Sequence, residues 1–155
     1  MDVELRKVVD LKPYDRNPRD NDGAVDAVAA SIQQFGWRQP IVVDADGVIV
    51  CGHTRYRAAL KLGLAEVPVH VVRDLTPAQV RAYRLADNST RDLSAWIEEA
   101  LAAEVRELGE IDLSQFGLKP EEILDRLIVP DENKIIDESK LAETTHECPK
   151  CGFKW

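Results

Sequence analysis

Gly52-His53-Thr54-Arg55-Tyr56-Arg57-Ala58-Ala59 follows Val48-Ile49-Val50-Cys51 and leads into Leu60-Lys61-Leu62-Gly63. Small and β-branched residues, a glycine, then a short run closed by Gly63 as a C-cap read as buried strand, turn and helix. Such a joint gathers free backbone N–H groups and the positive end of a helix dipole at one point. With Arg55 and Arg57 beside it, the natural occupant is an anion, first of all a phosphate.

Working outward, Asp44-Ala45-Asp46-Gly47 is a tight turn joining Ile41-Val42-Val43 to the strand at 48–51, so the two form a hairpin. Before them, Val25, Val28, Ala29, Ile32 and Phe35 recur at helical spacing, with Asp22 able to cap the start and Gly36 ending the run. Residues 3–11 read as an opening strand. The turn-rich stretch 13–21 presents Arg16 and Arg19, either as a polar connector or as a loop over a ligand.

Beyond the central stretch, residues 67–72 read as a strand whose Pro68 marks an edge or the strand's beginning. Thr76-Pro77 opens a helix expected to run to about Leu85 and to break at Asp87-Asn88. A helix over 94–108 should pack through Trp96, Ile97, Leu101, Val105 and Leu108, leaving Glu98, Glu99, Glu104 and Glu107 in solvent. Another follows Gly117 over 120–127, and from Pro130 the composition is that of a linker of low order.

The 155 residues carry a net charge of −8, unevenly placed. Residues 1–91 hold 13 Lys and Arg against 12 Asp and Glu, a net of +1, and residues 92–155 are at −9. DNA binding driven by bulk charge is therefore not expected, and any DNA contact must come from the front of the chain. No apolar run approaches membrane-spanning length and the opening Met1-Asp2-Val3-Glu4 is unlike a signal peptide, which places the protein in the cytoplasm. Three cysteines, an odd number, argue against a disulfide framework, and Cys51 is expected to be a small core residue.

Several segments, in order, resemble the N-terminal domain of ParB-type proteins over roughly residues 5–93. Asp10-Leu11-Lys12-Pro13 with Asn17-Pro18-Arg19 is similar to the family's opening. Ser31-Ile32 to Phe35-Gly36, then Gln39-Pro40-Ile41-Val42-Val43, is similar to its first helix and strand. Gly52 to Ala59 resembles the ParB box, and Ala86-Asp87-Asn88-Ser89-Thr90-Arg91 the Glu-Asn-x-Gln-Arg segment that follows it. The resemblance implies a small domain holding a nucleoside triphosphate, CTP or ATP, with magnesium. Gly52, His53, Thr54, Arg55 and Arg57 would hold phosphates, Asp87 and Asn88 would sit at the metal, and Arg91 would complete the site. A magnesium-bound triphosphate needs such amides and arginines for its charge and an oxygen ligand for its hard cation.

The chain departs from the pattern of partition proteins at His53-Thr54, where those have Glu-Arg, and at Thr90, where Gln is frequent. Sulfiredoxin chemistry is not expected, because His53 occupies the position of that family's nucleophilic thiol. Boxes beginning Gly-His resemble stand-alone or methyltransferase-linked ParB-like domains of phages and plasmids. Two alternatives accompany the nucleotide-binding reading: a metal-dependent DNA nuclease with His53 and Asp87 as catalytic residues, and an accessory protein for a DNA methyltransferase.

Near the end, His146, Cys148 and Cys151 resemble the first knuckle of a zinc ribbon. The fourth ligand would be water, His70 or a second chain, and two chains sharing one zinc would form a homodimer. The expected architecture is α/β (α+β): a small mixed sheet with packed helices over 1–93, ParB/sulfiredoxin-like, a helical extension over 94–129, and a linker with the Cys-x-x-Cys tail over 130–155.

Overall fold

The computed structural model describes residues 2–109 and 111–128. Four strands and five helices follow in the order β1 (Val3–Lys7), α1 (Val25–Phe35), β2 (Ile41–Val43), β3 (Ile49–Cys51), α2 (His53–Lys61), β4 (Glu66–Val71), α3 (Pro77–Asp92), α4 (Glu98–Glu107) and α5 (Pro120–Ile128). The strands form one mixed sheet in the order β1-β4-β2-β3. β4 runs antiparallel to β1 and parallel to β2, while β2 and β3 are the expected antiparallel hairpin. Its turn is held by the Asp44 carboxylate, which accepts the N–H groups of Asp46 and Val48 at 3.0 and 2.9 Å.

Strand alternation sends the side chains into two cores. Ile41, Val43 and Ile49 join Val67, Val69 and Ala59 of α2 on one face. Val50 and Cys51 meet Val80 of α3 on the other, with Val42 against them. The short segment 49–51 is buried throughout because it is covered from both sides. The end of β3 is thus clamped between α2 and α3, the two helices that border the candidate site.

Several expectations are corrected. The opening strand stops at Lys7, and residues 8–10 tighten into a 3-10 turn that buries Val8. β4 lies inside the sheet, not at an edge. The Val8 N–H bonds the Ala65 carbonyl, so alternation leaves Pro68, opposite Leu5, without a ladder bond to β1, and pairing with β2 begins only at Val69. Asp22 does not cap α1; it belongs to a preceding 3-10 turn and pairs with Arg57. Gly63, with φ 65°, closes α2 as expected, one residue beyond Leu62.

The largest difference is in α3. Thr76 caps it, with Gln79 completing a reciprocal capping box, and the helix then runs through Asp87-Asn88 to Asp92. The side chains of Asn88 and Thr90 bond back to the carbonyls of Arg84 and Ala86, each at 2.8 Å, so these weak helix formers remain within the helix. Ser94 closes α3 by donating its hydroxyl to the Arg91 carbonyl, and α4 begins only at Glu98. Trp96 and Ile97 therefore precede α4 and are exposed, while Ala102 and Val105 form its buried side.

Among the described residues no helix is long and apolar enough to cross a membrane. His146, Cys148 and Cys151 lie outside the described residues.

Candidate functional site

The centre of the site is the turn at Gly52. Its φ of 102° places it in the left-handed region, where a β-carbon would also come 3.3 Å from Arg55 Nη1 and 3.5 Å from the Ile41 backbone. The chain therefore leaves β3 and enters α2 within a single residue. The first bond of the helical ladder runs from Tyr56 N–H to the Gly52 carbonyl at 3.0 Å. The amides of His53, Thr54 and Arg55 precede that ladder, and no side chain caps them.

These residues border a cleft of about 230 Å³ also lined by Asn17, Asn21, Gln39, Asp87, Asn88 and Arg91. Gly52, His53, Thr54 and Arg55 come from one wall, and Asp87, Asn88 and Arg91 from α3 opposite. The fold brings all seven of these sequence-predicted residues together. Arg57 is not among them: one helical position beyond Tyr56, it is exposed and pairs with Asp22. The unbroken α3 matters here, because it carries Asp87 and Arg91 one turn apart, with Arg91 Nη2 at 3.9 Å from the Asp87 carboxylate.

Arg55 is drawn inward by Gln39, whose side-chain oxygen accepts from Nη2. Burial, and then the neighbouring Arg91 charge, lower its pKa, and the guanidinium remains a cation on the cleft wall. Thr54 donates its hydroxyl to Asn21 at 3.1 Å, tying the turn-rich loop to the cradle. Asn88 uses its amide N–H on Arg84, and among the described residues no donor reaches its side-chain oxygen. Cys51, buried beneath the turn, has its thiol pushed up to about 12, first by burial and then by the Asp87 charge, which disfavours the thiolate.

His53 has a different neighbourhood. Its Nε2 accepts the Tyr14 N–H at 3.3 Å, which requires the neutral ring. Burial and the nearby Arg84 charge lower its pKa in the same sense. The loop at 13–21 crosses the cleft as a strap: beyond the Tyr14 bond, Arg19 reaches the Asn88 carbonyl at 3.4 Å and grips both Asp92 oxygens at 3.1 Å. Tyr14, Asn21 and Gln39 were not identified as site residues from sequence. Only the loop's richness in turn residues and arginines pointed their way, since each is ordinary in type and meets the cradle through tertiary contact alone.

Among the described residues, no group of three or more His, Cys, Asp or Glu could hold a metal by itself. Asp87 with the free oxygen of Asn88 is a donor set for magnesium only where phosphate oxygens complete it.

A strand-to-helix glycine turn faces a carboxylate, an amide and an arginine across a narrow cleft, in an α/β domain with a mixed four-stranded sheet. The ParB N-terminal domain model matches residues 2–89, and the chain belongs to that family. It is 38% identical over 78 residues to the ParB-like nuclease domain-containing protein YnaK of Escherichia coli, covering 50% of this chain and 90% of that one. With the chromosome-partitioning protein Spo0J of Thermus thermophilus it shares 34% identity over 122 residues, covering 76% of this chain and 42% of that protein. The chain thus spans less than half the length of that partition protein. Among solved structures, a C-terminally truncated chromosome-partitioning protein ParB from Caulobacter crescentus, complexed with CTP-gamma-S, superimposes with a TM-score of 0.69 at 24% identity. The match covers 85% of this chain and 82% of that one. This likeness concerns the fold.

Proposed function

We propose that the chain binds a nucleoside triphosphate, CTP first, in the cleft between the Gly52 cradle and α3, and acts in the DNA metabolism of a mobile element. The observation that carries the reading is the cradle itself: three uncapped amides on a left-handed glycine, with Arg55 and Arg91 adding charge. Such an arrangement suits the γ- and β-phosphates of a nucleotide. Asp87 and Asn88 would hold magnesium together with those phosphates, and the metal would supply charge neutralisation there. That the Caulobacter relative of the same fold was obtained with a CTP analogue supports the choice of base.

A nuclease using His53 and Asp87 is the second reading, favoured by the name of the Escherichia coli relative. It ranks lower because the Nε2 lone pair that would accept a proton already accepts the Tyr14 N–H. Plasmid nicking abolished by His53→Ala and by Asp87→Ala would raise it above binding alone.

The test of the first reading is thermal or chemical stabilisation by each ribonucleoside triphosphate with magnesium. A ligand at 100 times its Kd adds about 2.7 kcal/mol. Arg55→Ala removes charge-assisted bonds to phosphate and should weaken CTP by roughly 10- to 100-fold. No stabilisation by any triphosphate at millimolar concentration would sink the proposal.

A further inference from the structure

A second cleft lies apart from the phosphate cradle and is lined by other cations. It encloses about 920 Å³ between the loop at 11–16, the hairpin turn at 44–46 and the start of α3. Arg84 belongs to its wall and is only 3% exposed. Its guanidinium lies 3.6 Å over the Tyr14 ring, Nη2 donates to the Ile49 carbonyl at 3.1 Å, and Nε has no partner. The Tyr14 ring and the Ile49 carbonyl offset part of the cost of burying this guanidinium, and with no carboxylate on it its charge adds to the positive potential of the cleft. Around it, Lys12, Arg16, Arg73 and Arg81 are exposed on three different segments, and none forms an ion pair among the described residues. Against these four and Arg84 stand three carboxylates on the rim, Asp15, Asp44 and Asp46, so five cations and three anions leave the lining at +2.

We infer that this cleft is a second anion site and that it takes the phosphate backbone of DNA. Cations spread over three segments suit consecutive phosphates of a polymer, whereas a single phosphate would engage only part of them. Arginine dominates the set, as bidentate phosphate contact favours. Its position also answers a restriction from composition. The rear of the chain, at −9, repels a nucleic acid, and this cleft opens on the front segment at +1. The contact is sequence-independent, since no side chain here is committed to a base edge. It stands apart from the triphosphate reading, because none of its five cations lines the cradle.

The experiment is fluorescence anisotropy of a labelled short DNA duplex with the full chain and no nucleotide, titrated at several salt concentrations. Four exposed cations meeting four phosphates give a slope of log K against log salt of about −3.6, or roughly a hundredfold loss between about 50 and 200 mM. Arg73→Glu with Arg81→Glu should lower affinity at least tenfold and flatten the slope. CTP stabilisation measured on the same variant keeps the two sites separate and reports folding. Absence of binding at low salt, or a double variant that binds DNA like the wild type, overturns the inference. So does a polyglutamate peptide that displaces DNA at equal charge concentration, which would assign the cleft to an acidic protein. Loss of CTP stabilisation in the wild type alone, with DNA binding intact, would remove the triphosphate reading and leave this one standing.

Discussion

The Tyr14 N–H points at Nε2 of His53, and that bond exists only while the ring is neutral. Burial and Arg84 hold its pKa below the ordinary value, so the folded protein binds fewer protons than the unfolded chain as the solution becomes acidic. The sign follows: this contribution to stability is complete above about pH 6.5 and is lost as pH falls towards the lowered folded value. His53→Gln keeps an acceptor for Tyr14 without titrating, and urea midpoints at about pH 7 and pH 5 should lie closer together than in the wild type. An unchanged difference between those midpoints would mean that other groups set the slope. Gly52 is the second residue where one atom decides. Gly52→Ala places a β-carbon on a φ of 102°, and should destabilise the fold by about 1 to 3 kcal/mol with loss of triphosphate binding. Urea unfolding and a CTP titration check both.

At the scale of elements, α3 shows where local signals mislead. Asp87-Asn88-Ser89-Thr90 has the composition of a turn, yet the back-bonds of Asn88 and Thr90 and the contact of Val80 with β3 carry the helix through it. The start of α3 was fully legible, because Thr76-Pro77-Ala78-Gln79 is a complete N-terminal signal in local sequence. Thr76→Ala should therefore cost about 1 kcal/mol, read as a lowered urea midpoint, with Gln79→Ala giving part of the same effect. If neither variant moves the midpoint, tertiary packing alone defines that end of the helix. The strand assignment of 66–71 was equally legible, but its place inside the sheet was not. Proline argues for an edge only when its missing N–H faces a neighbour, and register decides that.

On the whole molecule, the 3-10 turn at Ser114–Phe116 packs against α1, and an aromatic pair lies in that contact. Phe35 at the end of α1 meets Phe116 at 5.2 Å between ring centres. Phe116→Ala should cost about 1 kcal/mol and open residues 111–119 to limited proteolysis. Protection equal to the wild type would show that α4 and α5 hold that segment unaided.

The local order of residues was enough to place the hairpin, α1, the glycine joint and the family, since these rest on periodicity, caps and turn chemistry within short windows. It also set Asp87-Asn88-Arg91 opposite Gly52–Arg55 through resemblance. Tertiary structure decided that Arg57 turns away to Asp22 while Arg55 is held by Gln39, and that His53 secures Tyr14 with its Nε2. It also decided that Arg84 lies buried on Tyr14 without a carboxylate. Those outcomes depend on partners 16 to 70 positions distant, and side-chain pairing over such separations is set by packing and register, which no local pattern encodes.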